Sequence, residues 1–442
     1  MRGKFITPAV ALAGVTGLAL ATTLLATPAK ARAELPAGPQ AALTSVVSHD
    51  NVLTGKVTKR MKGTGIKAEA DALAGYWTPA RMKAAKSMER TATNRSDSAT
   101  ERSQQSVLQG TAGSMAPSRT GKVANEIAPQ YEQPNLPSNT PAARTNGKIF
   151  FTYQGGSYVC SGAVVNSEGR SLVWTAGHCL GEEGVWSSNV AFVPAYSNGA
   201  TPYGVWYAKN IATTGEWFYD GDFGYDVGAI TLHANFGYRI TDYLGAQGIT
   251  WGEKTKTFTA AAFGYPATDP FDGETLYRAD GETTDKGDGT LFMTSGLTGG
   301  SSGGPWFRNF DGDWGYVNGH NDFIYKNAPL YMYSPYYGTQ VAELYKHVRK
   351  MSADAVSGAT PKISGTAKVG KTLTAKPGKW KPSGTKLSYQ WYRNSTKITG
   401  ATKSTYKLVK ADKKNKMTVK VTGKKDGYAN TTKTSGKTKK VK

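Results

Sequence analysis

Residues 148–179 read KIFFTYQGGSYVCSGAVVNSEGRSLVWTAGHC, and their texture decides the fold. Three short runs, KIFFTYQ, SYVCSGAVVN and SLVWTAG, are rich in β-branched and aromatic residues, with Gly, Asn and Ser between them. Runs of that length bounded by turn formers mark antiparallel strands. The texture continues through VAFVPAY, DVGAITL, TFTAAAFGY and GYVNGH, and no long amphipathic helix interrupts it before AELYKHVRKM near residue 342. An all-β barrel or sandwich is therefore expected, and about 200 residues of this pattern would make two small barrels.

The whole chain, at 442 residues, is too long for a single core, so two or three folded units are expected. Its formal net charge of +22 is unevenly spread. Residues 359–442 hold 23 Lys/Arg against 2 Asp/Glu, while the remainder holds 31 against 30. A near-neutral body thus carries one very basic tail, and any charge-driven function belongs to that tail.

The N-terminus, MRGKFITPAVALAGVTGLALATTLLATPAKARA, has a basic start at Arg2 and Lys4 and an apolar run to about Ala26. Ala31-Arg32-Ala33 fits a small-x-small cleavage site, so residues 1–33 read as a secretory signal peptide. The alternative is an uncleaved anchor, because the run is long for a signal. Its Ala, Gly and Thr content and the site that follows weigh against that. No later stretch is apolar enough to span a bilayer, so no transmembrane segment is expected in the mature chain. Export places the two cysteines, Cys160 and Cys179, in an oxidising compartment.

Residues 34–145 are Ala-, Ser-, Thr- and Lys-rich and end in the Pro/Asn/Ser stretch IAPQYEQPNLPSNTPAARTNG. Ahead of a compact domain they read as a pro-segment and linker, the alternative being a disordered spacer. The β-rich body spans 146–350, a linker 351–358 and the basic domain 359–442. In that domain about seven short strand-like runs include LSYQWYR, which places Trp391 mid-strand, where an immunoglobulin-type sandwich would bury it.

TAGHC, residues 175–179, sets a histidine against a cysteine. Zinc would call for a second close pair of ligands, and no other Cys or His lies within three residues. A redox dithiol would call for C-x-x-C, which is absent. A disulfide between Cys160 and Cys179 is more natural in an exported chain; it would close a loop of about 20 residues, worth roughly 3 kcal/mol in the chain-entropy model, and fix the backbone beside His178.

A base needs a group to activate. In GGSSGGP, residues 299–305, flanking glycines let the backbone turn tightly around an exposed hydroxyl, with N–H groups converging on one oxygen. A base also needs an orienting carboxylate, and Asp226 is the one acid in the apolar run DVGAITL. Alone, Asp226 could equally begin an exposed strand.

Taken together, SGAVVN–WTAGHC, DVGAITL and GSSGGP resemble the chymotrypsin-type (trypsin-like) serine proteases over residues 146–350, and most of all the bacterial branch containing the glutamyl endopeptidases. The resemblance implies two antiparallel six-stranded β-barrels with the site between them. It implies His178 as general base, Asp226 as its orienter and Ser302 as nucleophile, with the Gly300 and Ser302 N–H groups as oxyanion hole. It also implies the Cys160–Cys179 disulfide, polypeptide substrates, and no cofactor or metal. The tail resembles the Ig-like β-sandwich modules appended to secreted actinobacterial enzymes.

Departures from the family pattern matter. The position before the nucleophile, an Asp in trypsin-like zymogens, is Ser301, so removal of the pro-segment is the expected switch. Ser301 is also a rival nucleophile, which the G-x-S-G-G-P frame disfavours. Six residues before Ser302 stands Gly296 in place of the acid of Arg/Lys-cutting enzymes. His320, in GYVNGHND, resembles the histidine that receives a Glu side chain, so Glu at P1 is an expected preference. Against it, the family's hydroxyl residue there is Leu297, although Thr298 is adjacent and is the second expected substrate-binding residue. His49, His233 and His347 read as surface residues. The acidic turns DGDFGYD and FDGETLYRADGETTDKGDG lack a full calcium ligand series.

The expected protein is a secreted serine endopeptidase with a basic module for anionic cell-wall polymers rather than nucleic acid, retained at the envelope. The alternative is a catalytically silent protease scaffold that binds the envelope through its tail.

Overall fold

The structure is a computed structural model describing residues 44–88, 91–92, 109–125, 139–426 and 428–442. Residues 1–33, expected to be a signal peptide, lie outside the described residues, as does part of the segment 34–145.

Three expected runs of the opening stretch become β1 (Asn146–Tyr153), β2 (Gly156–Val165) and β3 (Leu172–Thr175). With β4 (Ser188–Pro194), β5 (Trp206–Thr214) and β6 (Gly228–Leu232) they pair in the order β5-β4-β1-β2-β3-β6. β6 then pairs back to β5, which closes a six-stranded barrel with antiparallel pairing throughout.

The two-residue period, with both faces covered, explains why every residue of β1 is buried. Ile149, Phe151 and Tyr153 share one core with Cys160, Val173, Phe192, Ile211 and Ile230, which come from the other five strands and so fill the barrel. Phe150 joins a second core outside it with Trp77, Leu73, Trp174 and the helix residues Val341 and Leu344.

The remainder of the body forms two sheets. β7 (Gly248–Trp251), β8 (Thr259–Gly264), β9 (Tyr277–Glu282), β11 (Pro305–Arg308) and β12 (Tyr316–His320) lie in the first, in the order β9-β8-β11-β12-β7. β10 (Thr290–Thr294), β13 (Phe323–Tyr325) and β14 (Ala328–Pro335) form the second, in the order β10-β14-β13. Helix α1 (Thr339–Val348) follows.

The described parts of the segment 34–145 are stitched into these sheets. Val46–Asp50 runs antiparallel to β5 and Gly113–Met115 antiparallel to β7. Lys86–Ser87 runs parallel to β2 and Thr91–Ala92 parallel to β13. Trp77 donates its indole N–H to the Asn189 carbonyl at 2.7 Å. These pieces form no free spacer.

In the tail, a three-stranded sheet with Lys362–Ser364, Thr372–Lys376 and Thr405–Lys407 faces a four-stranded sheet containing Lys386–Arg393 and Met417–Lys424. Leu373, Trp391, Met417, Val419 and Val421 share its core, with Trp391 fully buried and stacked on Tyr406. The Lys side chains point outward because this core is small and apolar. Among the described residues no helix is long and apolar enough to cross a membrane.

Candidate active site

β3 runs directly into Ala176-Gly177-His178-Cys179, so a barrel strand delivers the imidazole. Gly177 is required by space: a Cβ there would come within 2.5 Å of Thr213 Oγ1 and 2.8 Å of Asp226 Oδ1. Asp226 stands at the end of the short turn Phe223–Tyr225, just before β6, and is fully buried, so it does not begin an exposed strand.

Asp226 and His178 make two contacts. The His178 backbone N–H donates to Asp226 Oδ1 and ring Nδ1–H donates to Oδ2, both at 2.8 Å. A carboxylate on Nδ1 fixes the tautomer that leaves Nε2 as acceptor. Nε2 has no hydrogen-bond partner among the described residues. Burial opposes ionisation of Asp226, but His178, through its charge and its hydrogen bond, outweighs it and holds the carboxyl below its ordinary range.

Ser302 is reached from the other side. Its carbonyl accepts from Ser161 N–H at 2.7 Å, and its hydroxyl donates to the Met88 carbonyl at 3.4 Å, not to His178. Cys160 and Cys179 are joined in a disulfide with Cα atoms 6.2 Å apart. That bond therefore links the neighbour of His178 to the neighbour of Ser161, whose N–H holds the Ser302 carbonyl.

The glycines around the serine are forced. Gly303 has φ +77°, and a Cβ on it would meet Thr175 Oγ1 at 2.0 Å. Gly300 has φ +93°, its carbonyl accepts from Ser161 Oγ at 2.9 Å, and a Cβ would lie 2.7 Å from Tyr265 O. Neither the Gly300 nor the Ser302 N–H is engaged with an acceptor among the described residues. Ser301 is fully buried and its hydroxyl donates to the Thr298 carbonyl at 2.6 Å, which turns it away from any substrate.

An imidazole with its Nε2 open, a buried carboxylate on its Nδ1 and a serine in a glycine turn are the side-chain types that acyl transfer uses. No family model matches the sequence, and no curated protein matches it. Among solved structures, protease Anisep from Arthrobacter nicotinovorans is 38% identical over 47% of this chain and 96% of its own, with a TM-score of 0.45. A thermostable serine protease, AL20, from an extremophilic microorganism is 34% identical over 48% of this chain and 100% of its own, also with a TM-score of 0.45. The chain belongs to the chymotrypsin-type serine proteases.

Within this serine protease, the expected substrate-binding residues sit differently from one another. Thr298 is half-buried and its hydroxyl is bound to Thr268, donating to the carbonyl at 3.1 Å and accepting from the N–H at 3.3 Å. His320 ends β12, is fully buried and has Nδ1 2.9 Å from the Tyr337 hydroxyl. Trp174 Nε1–H donates to that hydroxyl at 2.9 Å, which leaves the hydroxyl's own proton available to His320 Nδ1. Burial pushes the His320 pKa down to about 4, against a weaker opposing pull from Asp226. His320 is thus a neutral N–H donor, not a cation.

This shift couples to stability. The folded-state value of about 4 lies below the unfolded value near 6.5, so the unfolded chain binds the extra proton between them. Stability present above about pH 6.5 is therefore lost as pH falls toward 4, by up to about 3 kcal/mol from this histidine. His233 was expected at the surface; it is half-buried on the strand's exit, and burial lowers it to about 4 with the same sign. Denaturant titrations at pH 7 and pH 4.5 should show this loss, and His320→Gln should remove a large part of it; an unchanged slope would count against the assignment. His49 and His347 are exposed.

One site residue escaped the sequence reading. Asp322 Oδ1 lies 3.4 Å from His178 Nδ1, with both side chains fully buried. His178, Asp226 and Asp322 offer donor atoms within 4.8 Å of one another, a geometry a metal could use. Here Nδ1 is already committed to Asp226, and the cysteines that also neighbour His178 are in the disulfide. The arrangement suits proton handling better.

Proposed function

We propose that this chain is a secreted serine endopeptidase working through His178, Asp226 and Ser302. The observation that carries the reading is the buried pair of 2.8 Å contacts that orients His178 with Nε2 open. With the hydroxyl turned to Nε2, Ser302 Oγ attacks the peptide carbonyl carbon while His178 takes its proton. The oxygen of the tetrahedral intermediate is held by the Gly300 and Ser302 N–H groups. His178 then gives the proton to the departing amine, leaving an acyl-enzyme that water hydrolyses by the same path. No cofactor enters these steps. The two sheets of β7–β14 are read as the second barrel, and the tail sandwich as Ig-like.

The segment 34–145 is read as an inhibitory pro-segment. Lys86–Ser87 lies on β2, and the Met88 carbonyl holds the nucleophile's hydroxyl away from the base. Cutting the chain just after this stretch and releasing it should raise the rate of Ser302 modification at least about 100-fold, since an occupied cleft reduces apparent affinity by the fraction open. An intact chain that reacts as fast as the cut one would refute this.

A Glu preference at P1 is supported by the His320 Nε2–H, a neutral donor suited to a carboxylate oxygen. The basic tail, with 23 Lys/Arg against 2 Asp/Glu, is read as a ligand for anionic wall polymers. The full chain should bind isolated cell walls at low salt and release at high salt; no binding at low salt would end that idea.

The direct test is a serine-directed phosphonate on the processed secreted protein, with the labelled peptide sequenced and a peptide library run in parallel. Label on Ser302 and cleavage after Glu are expected. No label would favour a silent scaffold acting through its tail.

A further inference from the structure

A buried ion pair that the reaction above leaves unused ties the loop between β8 and β9 to the barrel. Lys148, on β1, is 2% exposed and Glu274, in the loop, is 5% exposed. Lys148 Nζ donates to the Gly273 carbonyl at 2.8 Å and lies 3.4 Å from Glu274 Oε1. Just beyond β4, the Tyr196 hydroxyl donates to Glu274 Oε2 and the Asn198 N–H donates to the Glu274 carbonyl, both at 2.8 Å. The barrel thus grips one short stretch of the loop at four points. A buried pair of this kind is weak evidence for stability, but its geometry is exacting.

The start of the same loop meets the serine turn. The Ala267 N–H donates to the Gly299 carbonyl at 2.6 Å. Ala267 is also wedged between two glycines: a Cβ on Gly273 would come within 2.7 Å of Ala267 Cβ, and a Cβ on Gly300 within 2.8 Å of the same atom. Contact therefore runs without a gap from Lys148 through Gly273 and Ala267 to Gly299 and Gly300. The Gly299–Gly300 peptide is trans, so its C=O and N–H point opposite ways. A carbonyl tied to Ala267 sends the Gly300 N–H away from the loop. Turned over, the peptide would set a carbonyl where the substrate oxygen gains negative charge.

We propose that Lys148 and Glu274 are positioning residues for the oxyanion donor: they anchor Gly273 and, through Ala267, hold the Gly299–Gly300 peptide with its N–H facing the substrate oxygen. The idea rests on the serine-protease reading above. Both residues act through the loop and not on the substrate. Their removal should therefore spare ground-state binding and weaken only the interaction made as the tetrahedral intermediate forms.

The test uses protein secreted and processed from the full chain, as wild type and as the double variant Lys148→Met, Glu274→Gln. The double variant removes both charges together, so neither is left buried alone, and Gln keeps an acceptor for the Tyr196 hydroxyl. It should fold, with KM within about twofold of wild type and kcat lower by about 10- to 100-fold, the effect of a donor misplaced by about 1 Å. Affinity for a peptide aldehyde, whose adduct with Ser302 puts an oxygen between the two N–H groups, should weaken by the same factor. Affinity for a product peptide should not change. A merely structural role would not separate these two affinities. A folded double variant with kcat within about twofold of wild type overturns the proposal, and so does one whose loss lies in KM.

Should the double variant fail to fold, Gly273→Ala decides. It leaves Lys148 and Glu274 in place while its methyl presses on Ala267. Here kcat and aldehyde affinity should fall together at an unchanged KM, and full activity overturns the proposal. Wild type that neither labels with the phosphonate nor cleaves would sink the serine-protease reading and this inference with it. Wild type that labels at Ser302 beside fully active variants sinks this inference alone.

Discussion

Ser302→Ala should lower turnover by about 10⁶-fold while leaving the protein folded. Loss of the nucleophile in a unit of this kind removes nearly all that the unit contributes, and a residual rate of about 10³ to 10⁴ over water comes from the oxyanion donors and binding. The structural cost is small because the Ser302 side chain makes one long bond, to the Met88 carbonyl at 3.4 Å. The backbone work is done by its carbonyl, which accepts from Ser161 N–H whatever the side chain is. Stability should therefore change by less than about 1 kcal/mol. Turnover measured beside an unfolding curve tests both halves. A variant that still cleaves and labels would move the nucleophile elsewhere, and the buried Ser301 would have to be reconsidered.

Asp226→Asn should cost about 10⁴-fold in kcat, the size seen when a buried triad carboxylate becomes an amide. Asn Oδ1 can still accept the His178 backbone N–H, so the turn before β6 should persist. The amide N–H₂ would then face ring Nδ1, where an acceptor now stands at 2.8 Å. The ring must move its proton to Nε2, and that nitrogen can no longer take one from Ser302. Nitrogen-15 spectra of His178 would show the tautomer change directly. If the variant kept both the wild-type tautomer and the wild-type rate, Asp322 would be acting as the orienting acid in its place.

How far the fold could be read from sequence depended on how local its causes are. The opening runs became β1, β2 and β3 because alternation and Gly/Asn turns act over a few residues. The fully buried Trp391 followed from its place in a short alternating strand. Short helices such as Gly215–Asp220 were not anticipated, since six residues set no helical period. The TAGHC and GSSGGP stretches were recognisable because glycines leave a trace in sequence where backbone must pass close to backbone. Asp322 left none. Nothing in GHND distinguishes a buried carboxyl from a loop acid, and only the pairing of distant strands brings it to His178. The pairing of residues 46–50, 86–87, 91–92 and 113–115 with the body was equally invisible, because an edge strand's partner is set across tens to hundreds of residues.

Those four borrowed strands bear on how long the body would last once parted from them. Each lies against a different strand of the body: β5, β2, β13 and β7. A body assembled around them and then parted from them has lost part of the template on which its long-range ladders closed. Such ladders form slowly on their own because the entropy of bringing distant strands together is spent before any contact rewards it. The freed body would keep its shape through the height of the wall around it, not the depth of the well. Its durability would then be a lifetime, and once unravelled it would have no quick road home.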